Sequence, residues 1–423
     1  MKPVAPARPT PSVAAQTVFF IAAGLVMLGN YYVYDAVGPV AELLHSQLHF
    51  SDTQIGTLNA IYSLPNICLV MVGGVLVDRF TARVMVVVTT VICLFGAILT
   101  ALGTHFPVMA AGRLLFGVGA ETLVVAVLVA LYQWFSPGRH FALQMSLNLS
   151  LARMGSYFAD RSTGFAKGLY DQGWQPPLWL AVGFAALSLA AALVYFYTDR
   201  REAPRGTLAT PPAPERFEWA HLWRFPGAYW MLVATCVAFF SVIFPFRSTF
   251  AIKYLQEAHG LSNDQAGTLN SHVFLMAAFT TPLFGLLLDR TGRNAMLLAV
   301  GALFLPLSFL VLGTMPGGAG ISTDLLGLSF SLLPAVLWPT VPKYVAPEQL
   351  GTAYGLMTAL QNAGLFAANL AAGRINDVSG ASAANPAGYT PMLWFFGVLS
   401  LLAFLFTLAL WINDQRRPAA APA

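Results

Sequence analysis

The sequence predicts an all-α membrane protein with twelve transmembrane helices arranged as two pseudo-symmetric six-helix bundles. Three observations carry this. Of the 423 residues, 57% are hydrophobic and 9% charged, against about a quarter charged in an ordinary soluble domain. That much apolar surface needs lipid as its solvent. Apolar stretches near the roughly 20 residues that cross a bilayer recur along the whole chain. Finally, residues 51–85 and 262–296 align without a gap at an offset of 211 residues. Gln54, Gly56, Thr57, Leu58 and Asn59 fall on Gln265, Gly267, Thr268, Leu269 and Asn270, and Asp78-Arg79 falls on Asp289-Arg290. Shared polar residues in register mark a duplicated membrane half.

The first six spans are drawn at 14–43, 54–77, 84–104, 108–133, 141–167 and 177–198. The second six are drawn at 227–256, 264–288, 295–314, 321–345, 351–375 and 389–412. This gives an N-terminal bundle (1–198), a linker (199–226) rich in proline and charge, and a C-terminal bundle (227–423). Within the linker, Glu215 to Trp223 is expected as a short interfacial helix. The basic residues orient the chain. With the termini cytoplasmic, the inner loops collect Arg79, Arg83, Arg139, Arg200, Arg201, Arg205, Arg216, Arg224, Arg290 and Arg293, while the outer side holds Lys167, Lys253 and Arg374 near helix ends. Cys68, Cys93 and Cys236 all lie in apolar stretches, which suits small buried side chains and neither a disulfide framework nor a metal site. The net charge of +4 is spread over helix ends rather than gathered on one face, so no nucleic-acid partner is expected.

Two segments carry a charged signature. Gly73-Gly74-Val75-Leu76-Val77-Asp78-Arg79-Phe80-Thr81-Ala82-Arg83 joins spans 2 and 3, and Gly285-Leu286-Leu287-Leu288-Asp289-Arg290-Thr291-Gly292-Arg293 joins spans 8 and 9. They resemble the signature loop of the major facilitator superfamily. Gly112-Arg113 followed by Gly117 and Gly119 resembles its fourth-helix motif. The resemblance implies a major facilitator fold working by alternating access. A finer likeness, to the superfamily's lysosomal dipeptide transporter branch, is carried by Asn30 to Asp35, Tyr62 to Asn66, Gly117 to Thr122, Leu151 to Ser156, Leu337-Trp338-Pro339, Leu350 to Gly355 and Gln361-Asn362. It implies passage of short peptides. The chain has no dileucine-type sorting tail and is Ala-rich, which points to a bacterial inner (plasma) membrane. The Glu-x-x-Glu-Arg pattern of proton-dependent oligopeptide transporters is absent from the first span.

A charge deep in a bilayer costs several kcal/mol, so it faces a cavity and usually works there. Glu121 falls near the middle of span 4 and Arg153 near the middle of span 5. Held apart, they suit a zwitterion, with Glu121 taking an amino group and Arg153 gripping a carboxylate. A direct structural ion pair is the alternative. Asp35, beside Tyr31, Tyr32 and Tyr34, could take a proton, hold an ammonium group or simply pack. Tyr157, Arg247, Asn270, Trp338, Gln361 and Asn362 complete the expected binding set, each with a packing role as its alternative. His272 is a further candidate for the path, and Asp160 with Arg161 for a gate. Asp78, Arg79, Arg83, Asp289, Arg290, Arg293 and Arg113 form the expected gating set, Arg113 with a structural role as the weightier reading. There is no P-loop, HExxH or Gly-x-Ser-x-Gly pattern and no His/Cys cluster, so no enzyme, metal or cofactor is expected. The function expected is a secondary transporter or uniporter for small zwitterions, most simply dipeptides. The rivals are an organic-anion or drug exporter and a non-transporting subunit. The expected partners are a small-molecule substrate and the lipid bilayer, with protons, an accessory subunit and a homodimer left open.

Overall fold

The computed structural model of the chain describes residues 11–135, 141–202, 225–315, 317–346 and 349–416, and their side chains except at 68–79, 141, 142, 289, 351 and 416. Most of the linker, including the expected helix from Glu215 to Trp223, lies outside the described residues. The first half contributes α1 (Val13–Asp35), α2 (Asp52–Phe80), α3 (Ala82–Leu102), α4 (Phe106–Phe135), α5 (Phe141–Phe165) and α6 (Gln175–Glu202). In the second half, α7 runs Gly227–Ile243, passes through a π-helical stretch at Phe244–Phe250 and continues as Ala251–His259. It is followed by α8 (Asn263–Thr291), α9 (Asn294–Thr314), α10 (Ala319–Thr340), α11 (Leu350–Ser379) and α12 (Thr390–Arg416).

The first span is not one helix over 14–43. It stops at Asp35, and after a 3-10 turn at Gly38–Val40 a separate short helix covers Ala41–Leu48. Pro39 explains the break, since it supplies no N–H to continue a ladder. The carbonyls left open at the end of α1 are taken by Arg113, which donates to Val33 O and Tyr34 O, both at 3.1 Å.

Packing repeats with the sequence. In the first half α1 packs on α5 and α6, α4 on α2 and α3, and α3 on α6; six helices on, α7 packs on α11 and α12, α10 on α8 and α9, and α9 on α12. The buried apolar side chains form two clusters, one drawn from Phe19 to Tyr195 and one from Phe225 to Leu410. Across the halves, α2 packs on α11 and α5 on α8. Among the described residues, nine helical stretches are long and apolar enough to cross a membrane. Of the long helices outside that set, α5 and α11 belong to these cross-half pairs, where polar side chains such as Asp160 and Asp377 face the partner half.

Candidate functional site

Between the halves lies a cavity of about 360 Å³. Tyr31 and Tyr34 of α1, Tyr62 of α2, Glu121 of α4 and Arg153 of α5 line it from the first half, and Phe240, Phe244, Trp338, Thr358, Gln361 and Asn362 from the second. Tyr62 donates its hydroxyl to Glu121 Oε1 at 2.7 Å. The Tyr62 ring is set edge-on against Tyr34, with centroids 4.8 Å apart. The Arg153 guanidinium is held by ring faces: it lies over Phe330 at 4.8 Å, Tyr31 at 5.2 Å and Phe274 at 5.6 Å. Such contacts fix a cation without using its N–H donors. Arg153 Nη1 is buried and has no hydrogen-bond partner. Among the described residues no ion pair joins Glu121 to Arg153. The cavity therefore presents an acceptor group and a donor group that do not satisfy each other, with aromatic walls around them.

Of the expected binding set, the structure brings Tyr31, Tyr34, Glu121, Arg153, Trp338, Gln361 and Asn362 to this cavity. It puts Asp35, Arg247 and Asn270 elsewhere, in a sealed cluster between the halves. Arg247 pairs with Asp35 Oδ1 at 2.7 Å and with Asp160 Oδ2, all three side chains being at most 2% exposed. Asn270 Nδ2 donates to the same Asp160 oxygen and to Arg247 O, each at 3.1 Å. Tyr157 packs edge-on against Phe158 and against the second apolar cluster. His272 points away to an exposed pair with Asp324 at 3.6 Å. In the sequence Tyr62 stands out only as part of a resemblance, yet it holds Glu121. A buried carboxylate needs a donor, and a tyrosine on a neighbouring span was the available signal.

The repeated residues at the start of α2 and α8 act at the end of the molecule away from the chain termini. Ser51 with Gln54 and Ser262 with Gln265 form matching capping boxes that start α2 and α8. Gly56 and Gly267 are points of close approach: an added Cβ would meet Asn369 O at 2.4 Å or Asp160 O at 2.5 Å, backbone of the opposite half in each case. Asn59 and Asn270 grip the π-helical stretch of α7 from two sides. Asn59 donates to Ser248 O at 3.1 Å and Thr249 Oγ1 at 2.8 Å, and Asn270 to Arg247 O. Beside them Lys253 pairs with Asp52 at 2.6 Å, both almost fully buried. Asn376 donates to Asp52 Oδ2 at 2.9 Å, while Asp377 accepts from the backbone N–H groups of Asp52 (2.8 Å) and Thr53 (2.9 Å) and from the Thr53 hydroxyl. Lys253 is thus buried near the end of α7, and Asp52, Asn376 and Asp377 are interface residues that the sequence reading missed.

The expected gating residues separate. Arg113 sits inside the first half, bonded to Leu58 O at 3.1 Å and Asn59 Oδ1 at 2.6 Å besides the end of α1. It braces α1, α2 and α4 and orients Asn59. Arg83 reaches Asp199 at 3.5 Å, where Trp134 Nε1 also donates at 3.0 Å. Arg290 and Arg293 are exposed near the turn at Gly292. The side chains of Asp78, Arg79 and Asp289 lie outside the described residues.

Comparison with known proteins matches residues 19–368 and 246–423 to the family model described as Major Facilitator Superfamily. The chain is 33% identical over 398 residues to a lysosomal dipeptide transporter, MFSD1, of Danio rerio, covering 91% of this chain and 84% of that one. To the protein of the same name from Homo sapiens it is 31% identical over 364 residues, covering 83% and 78%. Among solved structures, a bacterial homologue of the human lysosomal transporter Spinster, inward-facing and occupied, superposes with a TM-score of 0.76 at 15% identity, covering 98% of this chain and all of that one. At that identity the likeness concerns the fold.

Proposed function

From the premise that this multi-pass membrane chain belongs to the Major Facilitator Superfamily, we propose that it is an alternating-access carrier of dipeptides, with Glu121 and Arg153 holding opposite ends of one zwitterionic ligand. One observation carries the assignment: a carboxylate and a guanidinium line the same inter-half cavity without pairing, and a buried Arg153 donor is left over. The similarity to transporters named for dipeptides gives the ligand class. Glu121, already accepting from Tyr62, keeps a second oxygen for an ammonium group. Arg153 offers a planar fork to a carboxylate, which a lysine could not reproduce. Gln361 and Asn362 stand within the same wall to meet the peptide amide. The orientation we assign puts the termini in the cytoplasm of a bacterial inner membrane, supported by the Arg-rich loops at that end. In that orientation the cross-half bonds close the outer side. Labelling of a cysteine at position 210 by an impermeant reagent in intact cells would overturn the orientation.

End-capped peptides test the site. Losing one charged hydrogen-bond partner in a water-shielded site costs roughly 1.5–3 kcal/mol, about ten- to a hundred-fold in affinity. An N-acetylated dipeptide should bind the native protein that much more weakly and be nearly indifferent to Glu121→Gln. A C-amidated one should show the same pattern with Arg153→Gln. If both capped peptides bind as the free peptide does, the two charges do not hold its ends.

A further inference from the structure

Arg153 belongs to two cavities. Besides the central one, a second space of about 430 Å³ opens between α5, α8 and α10, and Arg153 and Phe330 lie on its wall. Among the described residues Arg153 is also its one charged lining residue, the rest being largely aliphatic with a few hydroxyls. One of these, Ser150, already donates to Ala278 O at 3.1 Å. Gly285, from the second copy of the charged signature, lines this space too. The sequence suggests that glycines there serve close helix packing. Gly285 does not: a Cβ built on it would meet nothing within 4 Å. Ala335 of α10 lines the same space.

We infer that this second cavity is the subsite for the side chain of a dipeptide's C-terminal residue, and that it takes neutral apolar and aromatic side chains. The inference rests on the proposed dipeptide function. Its further premise is covalent geometry. The Cα of the last residue is bonded to the carboxylate carbon, so its side chain starts beside the Arg153 guanidinium. The peptide main chain and its first residue run through the central cavity towards Glu121. The remaining space next to Arg153 is the second cavity. A basic side chain is disfavoured, since Arg153 would repel it and among the described residues no carboxylate lines the wall to pair with it. The rim residues Leu143 and Leu286 are more than half exposed, so the space has an open mouth and length is tolerated better than charge.

The experiment is equilibrium binding to the purified full-length protein with three probes: Ala-Gly, Ala-Phe and Phe-Ala. Gly285→Leu and Ala335→Leu fill the space from two different helices, so a folding failure of one leaves the other. Each should weaken Ala-Phe by about ten-fold or more, the value of losing a buried aromatic side chain. Ala-Gly and Phe-Ala should stay within about two-fold. An equal fall for Ala-Gly would mean that the variants damage the carrier or its gate, and it would overturn the subsite. A selective fall for Phe-Ala would reverse the assignment of the residue. No change for any probe would leave the cavity to lipid. If the native protein binds none of the three, the dipeptide function itself fails, a result separable from all the others.

Discussion

The two copies of the repeated segment make the same contacts with the backbone and differ in their ion pairs. At the start of α2 and of α8 the same serine–glutamine box caps the helix, the same glycine lies against the opposite half, and the same asparagine holds α7. Only the charges diverge. In the first copy Asp52 meets Lys253 in a pair that is 3% and 1% exposed, backed by Asn376. In the second, Asp264 meets Arg161 at 3.5 Å with side chains 49% and 32% exposed. Duplication kept the backbone contacts that any closure of this kind needs. The two acids are not equivalent positions, since at the offset of 211 Asp52 falls on Asn263 and Thr53 on Asp264; each copy carries its own ion pair, one a buried bolt and one a surface latch. We expect the buried pair to resist opening more than the exposed one does.

The sharpest way to break this contrast is Asp52→Asn. Removing one partner of a buried ion pair strands the other, at about 3–5 kcal/mol. Lys253 would keep only Glu257, at 3.6 Å. A shift of about 3 kcal/mol is over a hundred-fold in a conformational equilibrium. We expect the end away from the termini to open, read as a longer spin-label distance between the first turn of α2 and the last turn of α7, together with a lower melting temperature. An unchanged distance distribution and melting temperature would mean that Asp52 and Lys253 bear no load.

A smaller effect separates the two asparagines. Asn59→Ala removes two donated bonds and also leaves Arg113 without its 2.6 Å acceptor, whereas Asn270→Ala removes bonds to Asp160 and Arg247 O. Each stranded polar group costs about 1–3 kcal/mol. We expect both variants to destabilise, with Asn59→Ala the worse because it also loosens Arg113 at the end of α1. Thermal unfolding of the two variants side by side checks the order, and an Asn270→Ala variant clearly less stable than Asn59→Ala would reverse it.

The architecture was legible in the sequence because lipid imposes it. Hydropathy marks spans whatever they pack against, and the gapless repeat announces two matching halves. Glu121 and Arg153 could be singled out by depth alone, since a charge at mid-span must have a polar destination. Partner choice was not legible. Asp35, Arg247 and Asp160 are charged residues within spans too, and only the fold reveals that Arg247 pairs with both acids while, among the described residues, no ion pair joins Glu121 to Arg153. The role of Asp52 was hidden for a different reason. It begins a helix, where an acid reads as an ordinary favourable charge near the N-terminus. Its lysine lies 201 positions away, at the far end of another span. Spacing along a chain carries little information about contacts of that range.

The smallest effect should come from the surface latch. Arg161→Gln deletes a pair whose members are both about a third exposed or more, and exposed ion pairs are worth about 0.2–1 kcal/mol. Arg161 also bonds Thr268, a contact that glutamine can partly replace. Melting temperature should therefore hardly move, and what remains of the effect should fade as salt screens the charges. Transport is the more sensitive readout, because a few tenths of a kcal/mol applied to the closed end alone changes its opening rate without touching the cavity. We expect Arg161→Gln to alter the turnover rate by no more than about five-fold, with peptide affinity unchanged, and raised salt to shrink that difference. If Arg161→Gln proved as damaging as Asp52→Asn, burial would not be what distinguishes the two copies, and the closure would have to be treated as symmetric.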